Sequence, residues 1–390
     1  MQRHYDVGRG PRIVAGPERL SVLAEWAGPH DGPVLLVADR GIEASGLLAR
    51  ARDALAGAGP VESFVAPPGE PTTTTVNAAA EAARALQGAA IVGIGGGTAL
   101  DLAKLAAALA STQRPVEDFL LGAGRFPGHA PAAMVPTTAG TGAEATRTCI
   151  VSDPDGRKLW VWDPGLMPDL VVLDPALTLS LPPHLTVATG LDAFVHALEA
   201  ATGGSRNRVN EAYALQAIRL VRDALPVAVA TPDDLAGRQA MQEAALLAGL
   251  AIDTGGTGMA HTIGHALGSL YHIPHGLAVA VGLRASLAWS VAPEPPRYAD
   301  AAQALGVAGG AEALADRLDL WLDELGLAAA IAAGGRDVVN ATALAERMAA
   351  PENAPMAANN ARVPQGDDLA GLAERTAALW NGSAGAARAG

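Results

Sequence analysis

Nine histidines are spread over the chain, yet His261, His265, His272 and His275 fall within fifteen residues. His261 and His265 are spaced i, i+4, so on a helix both project from one face. Pro274 ends that helix and leaves His275 beside Gly276 at the start of the next segment. A second pair lies upstream in the run Gly190–Glu199. Asp192 and His196 are again i, i+4, and Glu199 continues the same stripe one turn on. The rest of that run is apolar, and a buried aspartate and histidine are costly there unless paired or bound to a metal. A lone histidine on an apolar helix is usually a satisfied core residue, which suits His129 and His184. Two pairs on separate helices, with a further histidine after a proline, do not fit that pattern. Such a set can hold one divalent cation through imidazoles and one carboxylate. Fe2+ or Zn2+ suits these donors, and no thiolate is needed. A single carboxylate leaves the centre net positive, which serves to polarise a carbonyl or stabilise an alkoxide.

Two further loops carry residues that handle phosphate and sugar. Gly93-Ile94-Gly95-Gly96-Gly97-Thr98 closes a β-type run and opens a helical one bearing Asp101 and Lys104. Bare glycines let backbone N–H groups approach a phosphate at a helix N-terminus. The usual dinucleotide fingerprint does not complete here, since its third glycine would fall on Thr98. A tight turn without a ligand is the alternative. Asp39, directly after the first β-type run, is placed to accept from ribose hydroxyls and to repel a 2′-phosphate, although Arg40 beside it is the kind of group that welcomes one. Pro136–Glu144 adds a loop of threonines and glycines, with donors for phosphate or ribose oxygens.

The elements that must position these residues fall into two halves. Residues 33–38, 61–66, 89–94 and 131–136 read as buried strands, and 45–57, 74–86 and 99–110 as helices. Strands alternating with helices imply a parallel sheet covered on both faces. Past Pro175 the strand signals fade, and 186–201, 208–224, 235–252, 258–271, 276–291, 311–325, 341–349 and 367–380 read as helices. The expected organisation is an α/β domain over residues 1–180, an all-helical domain over 181–382 and a flexible tail over 383–390.

Composition narrows the function classes. Lys and Arg number 27 against 40 Asp and Glu, a net charge of −13. No basic run interrupts it, which argues against nucleic acid or an anionic membrane as partner. Cys149 is the one cysteine, so neither an internal disulfide nor a cysteine-based zinc cluster can form. The first residues are not followed by a signal-peptide core, and the apolar stretches are broken by charges or glycine. A cytoplasmic protein is expected.

Taken together, Gly95–Lys104, the Pro136–Glu144 loop, Gly190–Glu199 and His261–Gly276 resemble the iron-containing (group III) alcohol dehydrogenases. The resemblance runs from about Val34 to the Asn359-Asn360-Ala361-Arg362 stretch, and the histidine-rich block is its specific part. It implies a Rossmann-like, dehydroquinate-synthase-like α/β domain followed by an all-α domain, with NAD(P) bound in the cleft between them and a dimer or larger homo-oligomer. Asp192, His196, His261 and His275 fall on the family's four metal-ligand positions. His265 falls on a position thought to help move the proton. Asp39 matches the ribose-binding acid, and Gly95, Gly96, Gly97, Thr98 and Asp101 the pyrophosphate turn and the helix that follows. Thr137, Thr138 and Thr141 match the cofactor-binding threonine loop, and Lys158 a cofactor-contacting lysine. Thr98 stands where serine is more usual, Ala361 where proline is common, and Trp160 and Trp162 where smaller residues are. Arg147 lies just after the threonine loop, a position from which it could face the site.

The function implied is a metal-dependent, NAD-linked alcohol dehydrogenase or aldehyde reductase, with NAD ahead of NADP and Fe2+ ahead of Zn2+. Its substrate is a small alcohol or aldehyde. A glycerol-dehydrogenase-like enzyme is an alternative. So is a maleylacetate-reductase-like one, against which Asp192 argues because that family lacks the aspartate ligand. A non-catalytic regulator that binds NAD and metal is the alternative from another class, and the presence of His265 beyond the four ligands argues against it.

Overall fold

In the computed structural model, which describes residues 5–334 and 337–388, the strands expected from sequence are joined by four more. Five open the chain: β1 (Arg12–Ala15), β2 (Val34–Asp39), β3 (Val61–Ala66), β4 (Ala90–Gly95) and β5 (Ala132–Pro136). β6 (Thr148–Ser152) and β7 (Lys158–Trp162) pair antiparallel as a separate ribbon, and β8 (Leu170–Leu173) returns to the main sheet. That sheet runs β1-β8-β5-β4-β2-β3, with every neighbour pair parallel.

The helices of this half are α1 (Val22–Ala27), α2 (Arg40–Ala44), α3 (Leu47–Ala54), α4 (Thr73–Ala85) and α5 (Gly97–Leu109). Both faces of the sheet are covered, so its inner strands are continuous apolar runs rather than alternating, apart from Asp39 at the end of β2. Leu35, Val37, Ile91 and Met134 pack with α4 and α5 on one side. Val34, Leu36, Val92, Ile94 and Val135 pack with α1 and α3 on the other. The helix expected over 45–57 is the shorter α3, and Gly46, at φ 79°, turns the chain between it and the preceding α2.

The second half is helical: α6 (Pro183–Thr202), α7 (Arg208–Ala230), α8 (Leu235–Gly255), α9 (Met259–Tyr271), α10 (His275–Val291), α11 (Ala299–Leu305), α12 (Leu314–Glu324), α13 (Leu327–Gly334), α14 (Ala341–Met348), α15 (Ala354–Asn359) and α16 (Asp368–Arg388). α16 carries on to Arg388, so the tail expected from 383 begins inside a helix. Residues 389–390 lie outside the described residues. By contacts the chain divides into an α/β unit, Gly8–Thr138 with Gly142–Ser180, and a helical unit that includes Leu181–Gly390 and Ala139–Thr141. α6 runs through the core of the helical unit and is buried nearly throughout from Thr186 onward. The polar side chains it carries are therefore kept out of water.

Candidate functional site

α6, α9 and α10 bring the histidines and the aspartate together. Asp192 and His196 project from α6, His261 from the first turn of α9, and His275 opens α10 after Pro274. Gly276 makes the last approach possible, since a Cβ there would stand 2.3 Å from the carbonyl oxygen of Ala188 on α6. Around Asp192 Oδ1 stand three imidazole nitrogens: His275 Nε2 at 3.6 Å, His261 Nε2 at 3.7 Å and His196 Nε2 at 3.9 Å. The four donor atoms all lie within 4.8 Å of one another. Asp192, His196 and His261 are buried and His275 is half-buried.

This arrangement fits a metal ion. The Asp192–imidazole distances are too long for hydrogen bonds, and buried Asp192 Oδ1 and His261 Nε2 have no hydrogen-bond partner. Donors roughly 2.0–2.2 Å from one cation stand about 3–4 Å apart, as these do. Burial of an unsatisfied carboxylate oxygen is expensive, and a cation removes that cost.

The electrostatics of the four groups differ. Burial alone would raise the Asp192 carboxyl, but the imidazoles gathered around it outweigh burial and hold the group below the usual carboxylate range. Burial pushes His196 down to about 4, so its imidazole is neutral and can act as a ligand. Burial would also lower His261, yet the Glu199 carboxylate beside it prevails and moves it up to about 9, so a cation bound there would have to displace a proton from its Nε2.

His265, one turn beyond His261, is half-buried beside the cluster, its ring centroid 5.5 Å from that of His275 and 6.3 Å from that of His261. His272 follows α9 in the left-handed region at φ 54°, is exposed, and is not among the four converging donors.

Of the expected cofactor residues, Asp39, Gly95–Thr98, Thr137 and Thr138 lie at the carboxyl ends of β2, β4 and β5, Asp101 lies within α5, Lys158 opens β7, and Thr141 groups with the helical unit. Gly95 takes φ 149°, and a Cβ there would stand 2.7 Å from the Ala99 Cβ and 3.6 Å from Asp39 Oδ2. No side chain caps α5, whose first residue is Gly97 and whose N-cap is Gly96. Thr137 N donates to Gly95 O at 2.9 Å, and Thr138 Oγ1 lies 3.6 Å from the point where a Gly96 Cβ would be. Asp39 Oδ1 caps α2, accepting from Ile42 N at 3.0 Å.

Asp101 and Lys158 are tied to protein partners. Asp101 Oδ2 accepts from Ile150 N at 2.9 Å and Oδ1 lies 3.2 Å from Lys104 Nζ. Lys158 pairs with Glu70. Arg147 lies over the Trp162 ring at 5.2 Å, with Arg125 over the same ring at 4.8 Å. Two groups that spacing left without a role also emerge. Lys104 reaches across to the loop after β5, and Glu199 touches His261. The second was signalled by its place on the Asp192–His196 stripe.

Comparison with known proteins agrees with the geometry. Residues 10–175 match the family described as iron-containing alcohol dehydrogenase. Residues 186–376 match the C-terminal part of the Fe-containing alcohol dehydrogenase family. The 1-propanol dehydrogenase PduQ of Salmonella typhimurium is 36% identical over 298 residues, 76% of each chain. The NAD-dependent methanol dehydrogenase of Bacillus methanolicus is 31% identical over 302 residues, 77% of each. Among solved structures, a 1,3-propanediol oxidoreductase superposes with a TM-score of 0.83 at 29% identity, covering 96% of this chain and all of that one. The sulfoacetaldehyde reductase of Bifidobacterium kashiwanohense, solved with NAD+, gives 0.84 at 26% identity over 96% and 99% of the two chains. This chain is an oxidoreductase and belongs to the iron-containing alcohol dehydrogenase family.

Proposed function

We propose that the enzyme interconverts a small alcohol and its aldehyde with NAD(H), using Fe2+ held by Asp192, His196, His261 and His275. The observation that carries this is the buried, unsatisfied Asp192 oxygen with three imidazole nitrogens arrayed around it. When bound, the cation supplies Lewis-acid polarisation of the substrate oxygen, and the nicotinamide supplies or takes up the hydride.

The chain's own residues do the rest. The dry, apolar wall of α6 and α10 excludes bulk water from the donors and strengthens every charge interaction among them. His265, close to the cluster yet outside the four donors, gives or takes the proton that accompanies hydride transfer. Asp39 binds the ribose hydroxyls and disfavours NADP. The Gly95–Thr98 turn receives the pyrophosphate on backbone N–H groups, while Thr137, Thr138, Thr141 and Lys158 contact the remainder of the cofactor.

A homo-oligomer goes with this reading. β1 lies at the edge of the sheet with Arg12, Ile13 and Ala15 exposed, so main-chain groups are available to a second copy. Among the described residues no helix is long and apolar enough to cross a membrane. We place the enzyme in the cytoplasm, where a lone thiol such as Cys149 stays reduced.

The test is an aldehyde panel with NADH, run on protein loaded in turn with Fe2+ and Zn2+ and on metal-free protein. Metal-dependent NADH oxidation is expected. Equal turnover with and without metal overturns the proposal.

A further inference from the structure

Glu199 lies on α6 one turn beyond His196, on the stripe that carries Asp192, and its side chain is almost fully buried. Both carboxylate oxygens are in use. Oε2 accepts from Gly258 N at 2.7 Å and lies 2.6 Å from His261 Nδ1. Oε1 accepts from Ala260 N at 2.7 Å. The two backbone donors belong to the start of α9, where N–H groups have no partner within the helix. Asn360 Oδ1 takes a third, Met259 N, at 3.1 Å. One carboxylate therefore fastens the first turn of α9 and a histidine ring on that turn.

The consequence for the ring follows from hydrogen-bond chemistry. An ionised carboxylate only accepts, so Nδ1 of His261 must carry a proton and donate it. In the neutral imidazole that leaves the lone pair on Nε2. Nε2 is the atom aimed at Asp192 Oδ1 and the atom without a hydrogen bond. The ring is further held by the His196 ring stacked on it, 4.5 Å between centroids at 20°. A carboxylate behind a metal-binding imidazole fixes its tautomer and rotamer and raises its basicity.

Resting on the metal-site reading above, we propose that Glu199 is the positioning residue of the metal centre. It keeps His261 Nε2 turned toward the ion and fixes the helix start from which His261 projects.

The test compares the affinity of full-length variants for Zn2+ and Co2+, measured by competition with a chromophoric chelator, so that turnover plays no part. In Glu199→Gln the amide has one accepting oxygen for three N–H donors, and its NH2 must oppose at least one of them. A 10- to 100-fold loss of metal affinity is expected, in line with losses at other such outer carboxylates. A changed Co2+ absorption spectrum should accompany it as His261 tilts. Asn360→Ala removes a bond to the same helix turn without touching His261, and it should bind metal within about 2-fold of wild type. If Glu199→Gln proves too unstable to purify, Glu199→Asp keeps the charge but withdraws it by one carbon, and a similar loss is expected.

Three outcomes overturn parts of the proposal separately. Wild-type affinity and spectrum in the Glu199 variants, with binding still abolished in Asp192→Ala, overturns the role of Glu199 alone. Equal weakening in the Glu199 and Asn360 variants means Glu199 is only a helix cap, and overturns it too. Undiminished binding in Asp192→Ala removes the metal site itself, and the positioning role with it.

Discussion

Nε2 of His275 stands 3.6 Å from Oδ1 of Asp192, though one residue opens α10 and the other lies in the middle of α6. Neither helix end nor core packing calls for that pairing. A half-buried imidazole and a fully buried carboxylate meet without a hydrogen bond, as two ligands of one ion do. Asp192→Asn keeps the shape and removes the charge. Bound metal and turnover are both expected to fall at least about 10-fold, since loss of the sole anionic ligand weakens the site more than loss of an outer-sphere partner. Metal per chain, by elemental analysis, checks it, and a variant that keeps full metal and full rate would falsify the assignment.

Asp39 caps α2 besides the ribose contact proposed for it, so its replacement must separate the two. Asp39→Asn preserves an oxygen to cap α2 through Ile42 N while removing the negative charge. The ratio of kcat/KM for NADP to that for NAD is expected to rise about 10-fold, close to 1.4 kcal/mol of relieved repulsion. Thermal stability should hardly change. An unaltered ratio would assign cofactor choice to another group, Arg40 first.

The site was more legible than the scaffold that supports it. Asp192, His196, His261 and His275 announce themselves because polar residues at helical spacing in apolar runs have few other uses. The β6–β7 ribbon is hard to read from sequence because its apolar runs, Cys149–Val151 and Leu159–Trp162, are only three and four residues long and lie in a stretch rich in charged residues and proline. β1 has four residues, mostly exposed, and becomes a strand only by pairing with β8. Lys104 gave no periodic signal, because its partners come from a loop far along the chain.

That lysine supports a prediction of its own. Lys104 Nζ is fully buried and donates to Ala143 O at 2.8 Å, Thr146 O at 3.1 Å and Thr148 O at 2.8 Å, beside Asp101. Lys104→Met leaves those acceptors and the aspartate uncompensated. A loss of about 3–5 kcal/mol of stability is expected, the usual result of removing one partner of a buried ion pair. A denaturant midpoint equal to that of wild type would show that the loop holds without the clamp.

Glu144, in the same loop, should make stability depend on pH. Burial raises its carboxyl from 4.5 to about 7. The folded state then binds the proton more tightly than the unfolded chain does. Its contribution is full below the unfolded value and is lost as pH rises through about 7. Glu144→Gln cannot titrate, so its stability relative to wild type should improve by roughly 2–3 kcal/mol between pH 4 and pH 8. Denaturant titrations across that range decide it, and parallel curves for the two proteins would mean that the group ionises normally in the fold.

The last prediction separates His265 from the ligands. It lies on α9 one turn past His261 and its ring is 5.5 Å from that of His275, so it is near the cluster without being one of the four converging donors. A centre with four protein ligands gains little from a fifth, and a working Lewis acid must leave a position open to substrate. An imidazole nearby can both give and accept a proton, which suits it to carry the one that leaves or joins the substrate oxygen. His265→Asn keeps polarity and removes the titration. Metal content and NAD affinity should remain near wild type while kcat drops roughly 10- to 1000-fold, the range that general acid–base catalysis covers. One limb of the pH–rate profile should flatten at the same time. Metal loss as severe as in His261→Ala would make His265 a ligand in place of one of the four. An unchanged kcat with an unchanged profile would make it a bystander, and the proton would then need a route through water or the cofactor ribose.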